Sequence, residues 1–161
     1  MQETFIMSFR IHALDPALFA PLFSLSDDEL KARNAIRVTA THKPGFPCRV
    51  SLADAEIGEE LLLLHHEHQP ADTPFKASHA IYIRKDATQA LPGADEVPEL
   101  LRLRTLSLRA YNRDHMLIAA DLAEGANVEE TIDRLLLNPE AAYLHLHNAQ
   151  MGCYFAHVER V

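Results

Sequence analysis

Apolar and polar positions alternate along several short runs of this chain, and those runs set its expected architecture. Phe5 to Ile11 alternates imperfectly and contains no helix breaker, which predicts a strand. Ile36 to Thr41, Arg49 to Leu52 and His79 to Arg84 read the same way. Glu60 to His68 carries an unbroken leucine run, as expected of a strand buried on both faces. Leu103 to Tyr111 and Met116 to Leu122 form a hairpin pattern about the polar turn Asn112-Arg113-Asp114. A last strand pair, Ala142 to Asn148 and Cys153 to Val158, is separated by a polar break from Ala149 to Gly152.

Helical signals are fewer. Asp15-Pro16 has the form of an N-cap followed by proline at the first helical position, opening a short helix over Ala17 to Phe23 that Pro21 disturbs. Ser26 and Glu29 make a capping box for a helix over Asp27 to Asn34. Pro98 to Leu101 suits one helical turn. Asn127 caps a helix over Val128 to Leu137, which Asn138-Pro139 ends. Its apolar stripe of Val128, Ile132, Leu135 and Leu136 marks it as a cover for a sheet. Proline-stiffened loops run from Lys43 to Arg49 and from Gln69 to Pro74, and Asp86 to Val97 is the least structured segment. The sum is an α+β fold, a single globular domain over residues 1–161. A mostly antiparallel curved sheet or partial barrel is expected, with helices covering one side.

Composition narrows the class of partner. Hydrophobic residues make up 48% of the chain and charged residues 24%, enough for a real core. The net charge of -8 argues against nucleic acid and against an anionic membrane surface, since both need a basic face. The 2 cysteines do not make a disulfide framework, the first residues lack a basic start followed by an apolar run, and the longest aliphatic run is Leu61 to Leu64. A cytoplasmic protein with reduced thiols is expected. Strand edges left exposed would allow a homodimer.

The densest chemistry lies on the closing strand pair. Side chains alternate faces along a strand, so Tyr143, His145 and His147 share one face and Leu144 and Leu146 the other. His145-x-His147 is a spacing that can chelate zinc or iron(II). His66-x-His68 repeats it, and His79 or Cys153 could complete a set. No CxxC or HExxH accompanies them, so the alternative is a half-buried layer of hydrogen-bonded strand histidines. Cys48, beside Arg49, and Cys153, near His147, could be activated thiols or simply small buried apolar groups. Arg49 and Arg109 offer planar forks for a small anionic molecule, with His145 or His147 moving a proton and Asn148 alongside. No phosphate loop, dinucleotide fingerprint or nucleophile elbow is present.

At Pro44-Gly45-Phe46-Pro47-Cys48-Arg49, at His145-Leu146-His147-Asn148-Ala149 and at Gly152-Cys153-Tyr154 the chain resembles DUF1203, a bacterial family of unknown function. The likeness extends through Glu67-His68-Gln69-Pro70, Thr73-Pro74-Phe75, Ser78-His79-Ala80-Ile81 and Leu106-Ser107-Leu108-Arg109-Ala110. It marks these motifs as family hallmarks and implies no activity. Two readings follow. One is a small-molecule binder or enzyme that uses a His/Arg/Cys cluster, with or without a metal, on an acidic ligand. The other is a non-catalytic binding or interaction module whose His, Cys and Pro motifs are structural.

Overall fold

Among the described residues, eight strands divide into two antiparallel sheets. The computed structural model describes residues 8–161. The larger sheet has the order β1-β8-β7-β5-β6, from β1 (Phe9–His12), β5 (Thr105–Tyr111), β6 (Leu117–Glu124), β7 (Tyr143–Asn148) and β8 (Tyr154–Arg160). The smaller has the order β2-β3-β4, from β2 (Ala35–Thr39), β3 (Glu60–Gln69) and β4 (Ala77–Arg84). The helices are α1 (Asp27–Ala32), α2 (Glu99–Arg102) and α3 (Val128–Leu136). The class is α+β and antiparallel as expected, with no closed barrel.

Period-two alternation places the cores. On the large sheet Leu106, Leu108, Leu144, Leu146 and Val158 point to one side, where Val128, Ile132 and Leu136 of α3 cover them. The opposite face of the same strands carries Arg109, Tyr111, His145 and His147. On the small sheet, Leu62 and Leu64 of β3 pack with Ile81 and Ile83 of β4 under Phe19 and Leu30, while Leu61 packs the other way against Ala40 and Ala55. β3 is therefore apolar on both faces over its first half, as its leucine run predicts.

Local signals hold where the backbone alone decides. Ser26 Oγ accepts from Glu29 N and Glu29 Oε1 accepts from Ser26 N, so the capping box opens α1. Pro21 limits the preceding segment to two 3-10 turns, Pro16–Leu18 and Ala20–Ser24, in place of one α-helix. Of the first predicted strand, Phe5 to Met7 lie outside the described residues. Asn127 stands at the start of α3 but makes no side-chain cap, because a 3-10 turn, Gly125–Asn127, leads in. Gly125 is there for space: a Cβ would sit 1.8 Å from the Leu101 carbonyl oxygen at the end of α2.

Arg49 to Leu52 is not a strand. Only isolated bridges form nearby, Pro47 with Asp54 and Cys48 with Tyr82, and Leu52 is left-handed at φ 48°. The segment serves three neighbours rather than one ladder. Arg49 N donates to Tyr82 O, Leu14 N donates to Arg49 O, and Ala90 N donates to Val50 O. Its side chains stitch the cores together: Cys48 and Val50 enter the small-sheet core, and Leu52 enters the large one. Arg160, at the end of β8, donates to the carbonyls of Leu136, Asn138 and Ala141 and so ties the C-terminal end of α3. Among the described residues no helix is long and apolar enough to cross a membrane.

Candidate metal centre

The face of β7 turned away from the main core is not open to water. The second half of β3 lies against it, and His68 from that strand meets His145 and His147. One ring nitrogen from each of the three lies within 4.8 Å of the other two. Ring centroids are 4.8 Å apart for His68 and His147, 6.1 Å for His68 and His145, and 6.2 Å for His145 and His147. His147 is 0% exposed, His145 4% and His68 9%. Tyr154, opposite His147 in the β7–β8 register, stacks on His68 at 5.4 Å with the rings 3° from parallel and fixes its orientation.

Hydrogen bonding leaves three ring nitrogens without a partner at the centre. His147 Nδ1 is 3.0 Å from the Gly152 carbonyl oxygen, which can only accept, so Nδ1 carries the proton and Nε2 the lone pair. That Nε2 is buried with no hydrogen-bond partner in the protein, and so are Nδ1 of His68 and Nδ1 of His145. Each such atom costs on the order of 1–3 kcal/mol. Three of them in one cluster call for an outside partner.

The electrostatics keep the rings neutral. Burial first, then neighbouring imidazoles and Arg109, push His145 down to about 2. Burial pushes His147 down to about 3, against the Gly152 hydrogen bond, with Arg109 next among the lowering causes. Burial and then Arg109 push His68 down to about 4. Neutral imidazole is the form that binds a metal.

A pH dependence follows for the chelator-stripped protein. Above about pH 6.5 the three rings are neutral both folded and unfolded and contribute no slope. Below that, the unfolded chain takes up protons that the folded one refuses, so stability falls as the pH drops from 6.5 toward 4. The expected loss is about 1 kcal/mol per ring per pH unit. Urea midpoints measured from pH 7.5 to 5 check it; a flat profile would show that the rings accept protons in place.

The structure gathers some of the sequence-expected residues and separates others. His145 and His147 meet His68, and Arg109 lies directly opposite His145 in the β5–β7 register. His79 pairs with His66 across β3 and β4, and its Nδ1 faces the Ala80 carbonyl. Asn148 instead builds the hairpin turn, its Oδ1 accepting from Gln150 N and Met151 N. Neither cysteine sulfur joins the three-histidine set. Cys48 is fully buried, with its sulfur accepting from Ser51 N and Arg84 N, and Cys153 Sγ lies 2.9 Å from an Arg49 nitrogen. Both thiols are free. Arg49 is 1% exposed, its donors spent on Tyr154 O, Pro47 O and Cys153 Sγ, which puts it out of a ligand's reach.

The sequence puts Tyr143 on the histidine face and Gln69 and Tyr154 in family motifs, but gives none of the three a place among the candidate site residues. Gln69 Nε2 donates to the Tyr143 hydroxyl, which lies 2.6 Å from His115 Nδ1. These groups line a shallow groove of about 520 Å³ that His68, His145 and His157 also border. Strict alternation would have missed Tyr154, since it puts residue 154 with the core residues Ala156 and Val158; the register shift opposite Leu146 and His147 turns Tyr154 onto the histidine face.

A family model described as a protein of unknown function, DUF1203, matches residues 45–160. The chain belongs to the DUF1203 family. Neither a curated protein nor a solved structure matches it. The DUF1203 match takes in every residue of the histidine cluster together with Arg109, Tyr154 and the groove-lining residues.

Proposed function

We propose that this DUF1203 protein holds a divalent transition metal, zinc or iron(II), on His68, His145 and His147, and that it uses the metal on a small molecule entering from the adjoining groove. The carrying observation is the convergence of three buried imidazoles, each with a ring nitrogen that has no protein partner. Metal–nitrogen bonds of about 2.0–2.1 Å in a tetrahedral set put the nitrogens about 3.3 Å apart. From the 4.8 Å limit, each ring need move by less than about 1 Å to reach that spacing, a side-chain adjustment with no backbone shift. The Gly152 carbonyl supplies the outer contact that orients a ligating histidine.

Three histidines leave a coordination position open, which separates a reactive centre from a closed structural one. A metal held there by His68, His145 and His147 would supply a Lewis acid able to activate water and polarise a substrate oxygen. The chain's own residues orient the rings, exclude bulk water from His147 and keep the imidazoles neutral. The competing reading, a structural layer of stacked rings, draws on the contacts of Tyr154 with His68, His145 and His147. It accounts for the stacking and not for the ring nitrogens without a partner.

Elemental analysis of untagged protein purified without chelator tests the proposal. About one zinc or iron per chain is expected. The metal should be lost in H145A/H147A and in H68A and retained in C48S and C153S. Protein that carries no metal, and that takes up none of zinc, iron(II) or cobalt(II) by calorimetry, would overturn it.

A further inference from the structure

Arg109 is out of keeping with the other arginines. Arg37, Arg84, Arg102, Arg104 and Arg134 each pair with a carboxylate, and Arg49 and Arg160 are bonded to backbone carbonyls. Arg10, Arg33 and Arg113 are exposed. Arg109 is half-buried, yet among the described residues it makes no ion pair; its polar neighbour is the Tyr111 hydroxyl. It sits mid-strand on β5 between the core residues Leu108 and Ala110. Alternation therefore sends its side chain to the histidine face, directly opposite His145.

The one carboxylate lining the adjoining groove, Glu159, faces His157 at 2.8 Å and His12 at 3.6 Å. Arg109 acts on His68, His145 and His147, and His79 acts on His68 and His147; no carboxylate acts on any of the three rings. The chain has 23 acidic residues, but among the described residues none supplies a ligand atom to the cluster. Three neutral imidazoles, a divalent ion and one guanidinium would leave a formal charge of +3, with no carboxylate paired to the guanidinium among the described residues and Glu159 engaged by His157. Such a charge in a partly desolvated site is costly without an anion.

We infer that the centre takes a small oxyanion, with one oxygen on the metal and another held by the Arg109 guanidinium. The planar fork of arginine matches two oxygens of a carboxylate or phosphate, whereas a neutral amide offers one acceptor and no charge. Arg109 is then a substrate-binding residue. The Tyr111 hydroxyl beside it, and the stack of Tyr111 on Tyr143 at 5.3 Å, hold that wall of the site in place.

The inference rests on the metal centre, and one experiment separates the two. Chelator-stripped protein is loaded with cobalt(II), and its visible bands are followed during titration with acetate, inorganic phosphate and neutral acetamide. Acetate or phosphate should shift the bands, and acetamide should not. R109Q should load cobalt(II) normally and bind the anion roughly ten- to a hundredfold more weakly. R109K, which keeps the charge and loses the fork, should fall between and serves in place of R109Q if that variant does not fold. Stronger binding of acetate than phosphate identifies a carboxylate ligand, and the reverse a phosphate. Equal anion affinity in wild type and R109Q, or a response to acetamide equal to that to acetate, overturns the inference while the metal centre stands. Failure of the wild type to load cobalt(II) overturns both.

Discussion

Zinc added to the chelator-stripped protein is expected to raise its melting temperature by about 10 °C, and H68A to abolish the rise. A ligand bound only by the folded state stabilises it by RT ln(1 + [L]/Kd), about 4 kcal/mol when free metal exceeds Kd a thousandfold. For a chain of 161 residues each kcal/mol is worth roughly 2–4 °C. The folded state has a particular reason to gain: zinc would bond to rings of His68, His145 and His147 that each hold a buried nitrogen with no protein partner. For the same reason H145L should leave the metal-free protein as stable as the wild type or more so, since it removes a buried group with an unmatched nitrogen. The pair of measurements is decisive together. A wild type indifferent to zinc, or a metal-free H145L destabilised as an ordinary core truncation would be, contradicts a centre built for an ion.

F155A is expected to lower stability by about 4 kcal/mol or more. Phe155 is fully buried in the large-sheet core, and truncating such a phenylalanine costs about 3–5 kcal/mol. Two guanidinium groups also lie over its ring, Arg49 with Cζ at 4.8 Å and Arg104 at 5.7 Å from the centroid. A desolvated cation over an aromatic face adds up to about 2 kcal/mol. Arg49 has no carboxylate of its own; burial lowers it to about 10, while Cys153 and Cys48 act to raise it. Arg104 is neutralised by a two-pronged pair with Asp54, at 2.6 and 3.0 Å. Without the ring, the Arg49 charge faces a cavity. Urea unfolding measures the loss, and F155L, which refills most of the volume but offers no π face, should recover only part of it. A cost below about 1 kcal/mol in F155A would show that the two arginines and the surrounding core close over the gap.

Much of this arrangement is written in local pattern. Alternation alone puts Leu144 and Leu146 against α3 and turns His145 and His147 the other way, and the strand pairings carry that through to Arg109. The serine–glutamate box opens α1 for a reason contained in four residues. What lies beyond such patterns depends on which strands become neighbours. His68 reaches His147 because the end of β3 crosses onto the other sheet, and no periodicity encodes that crossing. The fate of Arg49 was equally hidden. Next to a proline loop it resembles an anion ligand, yet the chain turns it inward, onto Phe155 and three acceptors. Cys48 beside it follows the same turn into the small-sheet core. The thiols read as candidate nucleophiles because sequence shows adjacency, whereas their sulfurs are engaged by Ser51 N, Arg84 N and Arg49.

The three histidines come from both sheets, and this sets an order of events in time. His145 and His147 are two residues apart and can grip an ion weakly in a loose chain, but His68 joins them only when the sheets have docked. Tight capture of an ion would therefore come after assembly, and release would require the sheets to part or the rings to swing out into the groove. An ion held this way would be a late arrival and a slow leaver. A chain made under metal starvation would reach its final shape first and take up the proposed ion later, without refolding.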